Sequence, residues 1–358
     1  MSHCVHFGVC GGCAFDDRQA IDKRAVLQRA LVKAGFTDAP VASLIETPLH
    51  ARRRIDLAAT RKGTEISLGL HRARSAEVVD MQECALLVPE LLPLLPPLRV
   101  LLRSLQALRR AGSVAINWLN HGPDILLRMD AEFTQPDRSK IIALARALPA
   151  LRISVATGTA EPEPVVVLNP PMQTFAGVAV EPPPGGFLQA SAQGEAAIIA
   201  AVIAGLPKLT KKSLIIELFA GAGTLSFALA QHARVAGFEG DAATAMAHDK
   251  AIRASGLGGR MTVTQRDLHR RPLQAAELAK AAVVVLDPPF AGAAAQIRFL
   301  NQSGLARILY VSCNPDALAL DAAQLRTAGY RVVSATPIDQ FPYSENLESV
   351  VVFERSKQ

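Results

Sequence analysis

From about Ala190 onward, short apolar runs alternate with helical patterns. The runs cover 214–219, 235–239, 261–264, 282–286, 308–311, 331–335 and 347–353. Helices fit between the first six, and that alternation predicts a parallel sheet covered by helices on both faces. The stretch 336–346 contains Pro337 and Pro342 and is too short and broken for a crossover helix. The last strand is therefore expected to run antiparallel, as a hairpin partner.

An α/β sheet of seven strands with a reversed final hairpin resembles the class I (Rossmann-like) methyltransferase fold. A chain of 358 residues is too long for one core. Three regions are expected: 1–90, with most of the cysteines and a basic stretch; 91–189, a central α+β region; and 190–358, the regular sheet. The first two are open to being one unit. The N-terminal part has a strand-like segment at 65–70. The central part has a helix around 98–110 and strand candidates at 124–129 and 165–168. The string Glu181-Pro-Pro-Pro-Gly-Gly186 marks a boundary, because it continues neither a helix nor a central strand.

No run is apolar and long enough to span a membrane, and the N-terminus has cysteines where a signal peptide would be apolar, so a cytoplasmic protein is expected. The net charge of +6 suits a polyanionic partner without establishing one. Arg52, Arg53, Arg54, Arg61, Lys62, Arg72 and Arg74 concentrate positive charge in one stretch. That stretch reads as a solvated face unless other features point to nucleic acid.

Glu217-Leu-Phe-Ala-Gly-Ala-Gly-Thr224 closes the first C-terminal strand and opens a helix. Gly221 and Gly223 let the backbone approach a ligand. Glu239 ends the next strand, where a carboxylate accepts from ribose hydroxyls, and Asp267 follows the third, placed to receive an adenine amino group. Ser226 stands where a dinucleotide fingerprint needs its third glycine. Adenosylmethionine has no pyrophosphate, so it is favoured over NAD.

Asp287-Pro-Pro-Phe290 follows the fourth strand and Ser312-Cys-Asn-Pro315 the fifth. Both sites are strand carboxyl ends, where open α/β sheets bind ligands. Cys313 there is placed to react rather than to fill a core. C5 of uracil is a weak nucleophile until a thiolate adds to C6. A base must later remove the C5 proton, and Glu348 is the candidate.

These segments, together with Phe187-Leu-Gln189 and Leu347-Glu-Ser349, resemble the RNA uracil-C5 methyltransferase family in order and spacing. The resemblance implies S-adenosylmethionine as cofactor. It places Gln189, Phe219, Glu239, Asp267 and Asp287 against the cofactor or the adjoining uracil, with Thr224 as a further cofactor-loop residue. It makes Cys313 the nucleophile and Glu348 the proton acceptor. The chain departs from the family where Phe290 and Leu320 replace arginines, Ser191 an asparagine and Ala317 a threonine. Asp-Pro-Pro-Phe also resembles amino-group methyltransferases, in which the ring stacks on a flipped purine. A non-catalytic, cluster-bearing RNA-binding protein is a third reading, opposed by the joint presence of Cys313, Glu348 and the cofactor residues.

Cys4, Cys10, Cys13 and Cys84 supply four thiols. Zinc is the generic reading. Three cysteines in one loop plus a distant fourth suit a [4Fe–4S] cluster better, with Gly11 and Gly12 allowing a tight wrap. Family members that modify large ribosomal RNA look like this, which implies a loop or single-stranded uridine of 23S rRNA as substrate. The cluster is expected to be structural. With Cys4 at the start, an extra N-terminal β-barrel is not expected, and RNA binding falls to the cluster and central regions.

Overall fold

A computed structural model of the chain describes residues 4–148 and 150–355. The C-terminal sheet contains β1 (Leu214–Leu218), β2 (Arg234–Glu239), β3 (Met261–Gln265), β4 (Val283–Leu286), β5 (Arg307–Ser312), β6 (Arg331–Asp339) and β7 (Glu348–Glu354). They lie in the order β3-β2-β1-β4-β5-β7-β6, and a two-residue strand, Ile45–Glu46, adds outside β6. β7 is antiparallel to both neighbours, as expected, while β1 to β5 pair in parallel. The central strands β1, β4 and β5 are largely apolar because both their faces are covered. Ile216, Leu218, Val284, Leu286 and Ile308 face one core. Ile215, Val283, Val285, Leu309 and Val311 face the other.

β6 runs further than its apolar pattern suggests, through Pro337 to Asp339. Proline is tolerated there because β6 has a full partner on one side only, with Pro337 opposite Ser349 of β7. The N-terminal helix Lys23–Lys33 packs on this C-terminal sheet, with Leu27 and Leu31 in its core. Lys23 and Arg18 both pair with the buried Asp339 at the end of β6.

The segments on either side of residue 90 share a seven-stranded sheet. Its order is Val78–Asp80, Glu65–His71, Arg54–Lys62, Ala111–Leu119, Gly122–Met129, Arg152–Thr157 and Glu163–Val167. The helix expected around 98–110 spans Leu95–Ser104 instead. Two side chains end it. The Arg61 guanidinium donates to the carbonyls of Leu102, Arg103, Leu105 and Leu108, and Asp130 accepts from the N–H groups of Arg109 and Arg110. The loop after Glu181 is pinned to this sheet, since Arg152 donates to Pro182 O and Asn117 to Gly186 O. Among the described residues, no helix is long and apolar enough to cross a membrane.

Candidate active site

The strand order reverses between β1 and β4, and a cleft of about 1100 Å³ opens at the carboxyl ends there. Gln189, Phe219, Gly221, Thr224, Glu239, Asp267, Asp287, Cys313 and Glu348 all line it.

The loop after β1 turns sharply, with positive φ at Phe219 (62°), Gly221 (56°) and Gly223 (103°). The two glycines have different reasons. A Cβ on Gly221 would meet nothing within 4 Å, so that backbone lies open to the cleft. A Cβ on Gly223 would sit 2.4 Å from the Phe227 ring and 2.9 Å from His248 Nε2. Gly223 is therefore a packing requirement and does not line the cleft. Glu239 accepts from Gly221 N (2.8 Å) and Asp241 N (2.7 Å), which ties the loop to the end of β2. A carboxylate has further lone pairs, so it remains able to accept from a ligand. His248 binds the same loop from behind. Burial holds its pKa down at about 4, so the neutral ring donates Nδ1–H to Gly221 O at 3.1 Å. Asp267 accepts from the backbone of His269 and Arg270, which holds its carboxyl below the usual range.

The other end of the cleft is lined by the carboxyls of Glu217, Asp287 and Glu348. β5 and β7 pair with Ser312 opposite Ser349, and the residues flanking that last pair, Cys313 and Glu348, both line the cleft. Glu348 is 4% exposed. Burial first, and then the charge of Asp287, push its carboxyl well above the ordinary range. Asp287 is raised by burial to about 7. Glu217, which accepts from Ser226 Oγ, is raised to about 8, mainly by burial. The Cys313 thiol is pushed to about 11 by burial and by the charges of Glu348 and Asp287. Among the described residues, none of these three carboxyls is in an ion pair with an arginine or lysine.

Gln340 links the two halves of this end. Its Nε2 donates to Gln189 Oε1 (3.0 Å) and Glu348 Oε2 (3.2 Å). Nothing in the loop Asp339-Gln-Phe-Pro342 marks Gln340 in the sequence. Glu348 Oε1 is buried and meets no hydrogen-bond partner among the described residues.

The basic stretch divides by role. Arg53 is buried and pairs with Glu195 at 2.7 Å, joining the N-terminal sheet to the helix Ala192–Gly205. Arg61 holds the turn described above. Arg52 and Arg54 line the cleft, and Arg72 pairs with Glu77.

Cys4, Cys10, Cys13 and Cys84 line one smaller cavity, walled by Arg52, Ile55 and Leu70, which also line the cleft. Burial and the mutual repulsion of thiolates push Cys13 to about 12, and Cys4, Cys10 and Cys84 are raised as well. A Cβ at Gly11 would lie 2.7 Å from His71 O, and one at Gly12 2.8 Å from Leu70 Cδ1, so the loop wraps as closely as glycine permits. Among the described residues, no group of three or more His, Cys, Asp or Glu side chains is placed to hold a metal ion.

Residues 260–356 match the family model for tRNA (uracil-5-)-methyltransferase. The chain is 36% identical over 364 residues to an uncharacterized RNA methyltransferase of Brucella melitensis, covering 99% of this chain and 84% of the relative. It is 34% identical over 359 residues to an RNA methyltransferase of Caulobacter vibrioides, covering 98% and 85%. Among solved structures it is similar to the Pyrococcus abyssi tRNA (uracil-54, C5)-methyltransferase in complex with S-adenosyl-L-homocysteine. The TM-score is 0.68 at 17% identity, over 92% of this chain and 81% of that one, a likeness of fold. With relatives this similar along nearly all its length, and with the family model covering the segment that carries Cys313 and Glu348, the chain belongs to the RNA uracil-C5 methyltransferase family.

Proposed function

We propose that the chain methylates C5 of a uridine in RNA, with a single-stranded or loop uridine of 23S rRNA as the target. Cys313 is the nucleophile and Glu348 the proton acceptor in this reading. The observation that supports it is that Cys313 and the buried carboxylate of Glu348 flank the last β5–β7 pair and line one cleft.

S-adenosylmethionine supplies an electrophilic methyl group when bound. The residues present fit it. Glu217 and Glu348 are buried and Asp287 half-buried, none with a basic partner among the described residues, and a cationic ligand relieves them. Glu239 and Asp267 retain acceptor capacity on the far side, and Gly221 leaves the loop open. Gln189, Phe219, Thr224 and Asp287 line the space between. Gly223 serves by packing the loop.

The chain's own residues then act in turn. Cys313 Sγ forms a bond to C6 of the uracil, its proton passing to a nearby carboxylate. The C5–C6 π electrons move toward C5, which becomes the nucleophile for the methyl group. Glu348, through its unpartnered Oε1, takes the C5 proton. The electrons of that C–H bond restore C5–C6 and expel the Cys313 thiolate. The amino-methyltransferase reading of Phe290 leaves Cys313 and Glu348 without a task.

An RNA carrying 5-fluorouridine tests this. Fluorine at C5 leaves no proton to remove, so wild-type protein with S-adenosylmethionine should remain covalently bound to it on a denaturing gel. Free RNA and free protein after prolonged incubation would count against the mechanism.

The same reading assigns Cys4, Cys10, Cys13 and Cys84 to a structural [4Fe–4S] cluster. Four cysteine sulfurs around one cavity supply the ligand set of such a cluster, and the glycine pair fits a close wrap. Protein purified without oxygen is expected to contain iron and acid-labile sulfide and to absorb in the visible. Cys84→Ser should lose that absorbance. A colourless wild-type protein with zinc in its place would reject the cluster. RNA as partner and the cytoplasm as location follow from the same reading.

A further inference from the structure

Phe290 follows two prolines at the end of β4 and is 62% exposed, yet the turn that carries it is held by three hydrogen bonds. Its carbonyl accepts from Asn314 Nδ2 at 2.9 Å, and Asn314 is the neighbour of Cys313 and the N-cap of the helix Pro315–Thr327. Gly292 N donates to Pro289 O, closing the turn. Ala293 N donates to Asp321 at 2.7 Å, and Asp321 is itself bound by Tyr310 of β5 at 2.6 Å. A single exposed apolar side chain is ordinary. One whose carbonyl is bound to the residue beside Cys313, on the wall of a cleft, faces whatever enters that cleft. Phe187, 63% exposed in the same cleft, already carries the Arg54 guanidinium 4.9 Å from its ring centre. Among the described residues, the Phe290 ring meets no aromatic or cationic partner.

We infer that Phe290 is a substrate-positioning residue whose ring stacks on the base of a nucleotide flanking the target uridine. The inference rests on the proposed RNA reaction and goes beyond it. Depth decides which base is involved. Cys313 and Glu348 lie inside, with Glu348 4% exposed, whereas the ring stands at the rim. A uridine whose C6 reaches Cys313 has its base in the interior, and its neighbours along the strand stay at the rim. Every base offers a π face, so the stack tolerates any flanking identity. Arg52 and Arg54 in the same cleft suit the phosphates of that strand.

The test is anisotropy binding of a short, fluorescein-labelled single-stranded RNA with one uridine, alone and with abasic ribose at both flanking positions. Phe290→Ala is expected to weaken binding of the complete RNA by about tenfold, the usual scale of one base–aromatic stack. Phe290→Leu, apolar but without a π face, should lose as much, and Phe290→Tyr should keep wild-type affinity. On the abasic RNA the Ala and wild-type proteins should bind alike. The ring is largely exposed, so its removal spares the core. Equal loss on both RNAs, no loss on either, or full retention by the Leu variant would overturn the assignment. The measurement involves no chemistry, so failure of the methyl-transfer mechanism is read separately, in the 5-fluorouridine experiment.

Discussion

Replacing Cys313 with alanine is expected to abolish RNA methylation, with a loss of about ten-thousand-fold or more, the scale seen when a covalent nucleophile is removed. The size follows from the substrate. Without a bond to C6, C5 has no enolate character, and no rearrangement of the cleft replaces it. The protein should otherwise be intact. Cys313 is only partly buried, so truncating it removes no core contact. The thiol is pushed to about 11 first by burial and then by the charges of Glu348 and Asp287. A positive charge in the cleft should lower it, and thiol-alkylation rates would show this directly. In the Cys313→Ala protein, binding of S-adenosylmethionine, followed by calorimetry, should persist. Methylation by this variant at the wild-type rate would remove the covalent step, and the Phe290 alternative would take its place.

Glu348→Gln should separate the two halves of the reaction. Glutamine keeps the shape and can still accept from Gln340, so Cys313 should add to the base and methylation at C5 should proceed. Release should then fail, lowering turnover by about a hundred- to ten-thousand-fold, the range of general-base contributions. The variant should accumulate protein bound to ordinary, fluorine-free RNA, visible as a slower band on a denaturing gel. The pH dependence has a definite sign. A carboxyl raised by burial and by Asp287 is protonated at pH values where an exposed glutamate is ionised, and a protonated group cannot accept. Wild-type turnover should therefore fall as pH drops through that raised value, and single-turnover release in the Gln variant should lack this limb. Rapid release by Glu348→Gln, with no adduct, would place the proton acceptor elsewhere.

Part of this site was open to reading along the chain. A strand-end glycine turn, a carboxylate closing the next strand and a cysteine before Asn-Pro each have a local geometry that demands those residue types. Other parts were not. Arg53 and Arg61 look like Arg52 and Arg54 in a row of basic residues, yet two hold structure and two face the cleft. Gln340 sits in an unremarkable loop and bridges Gln189 to Glu348. His248 lies mid-helix and supports the glycine loop through a bond to Gly221 O.

The order and kind of the C-terminal elements are written along the chain, because apolar runs, glycines and prolines act on their own few residues. So is the reversed direction of the last strand, because the preceding connection is too short to cross over. Only the tertiary structure decided which groups meet. Cys313 and Glu348 are 35 residues apart and become neighbours through the β5–β7 register, and Lys23 reaches Asp339 across almost the whole chain. Pairings of that kind depend on how sheets and helices bury their faces against one another, a property of the packed molecule that no local run of residues carries.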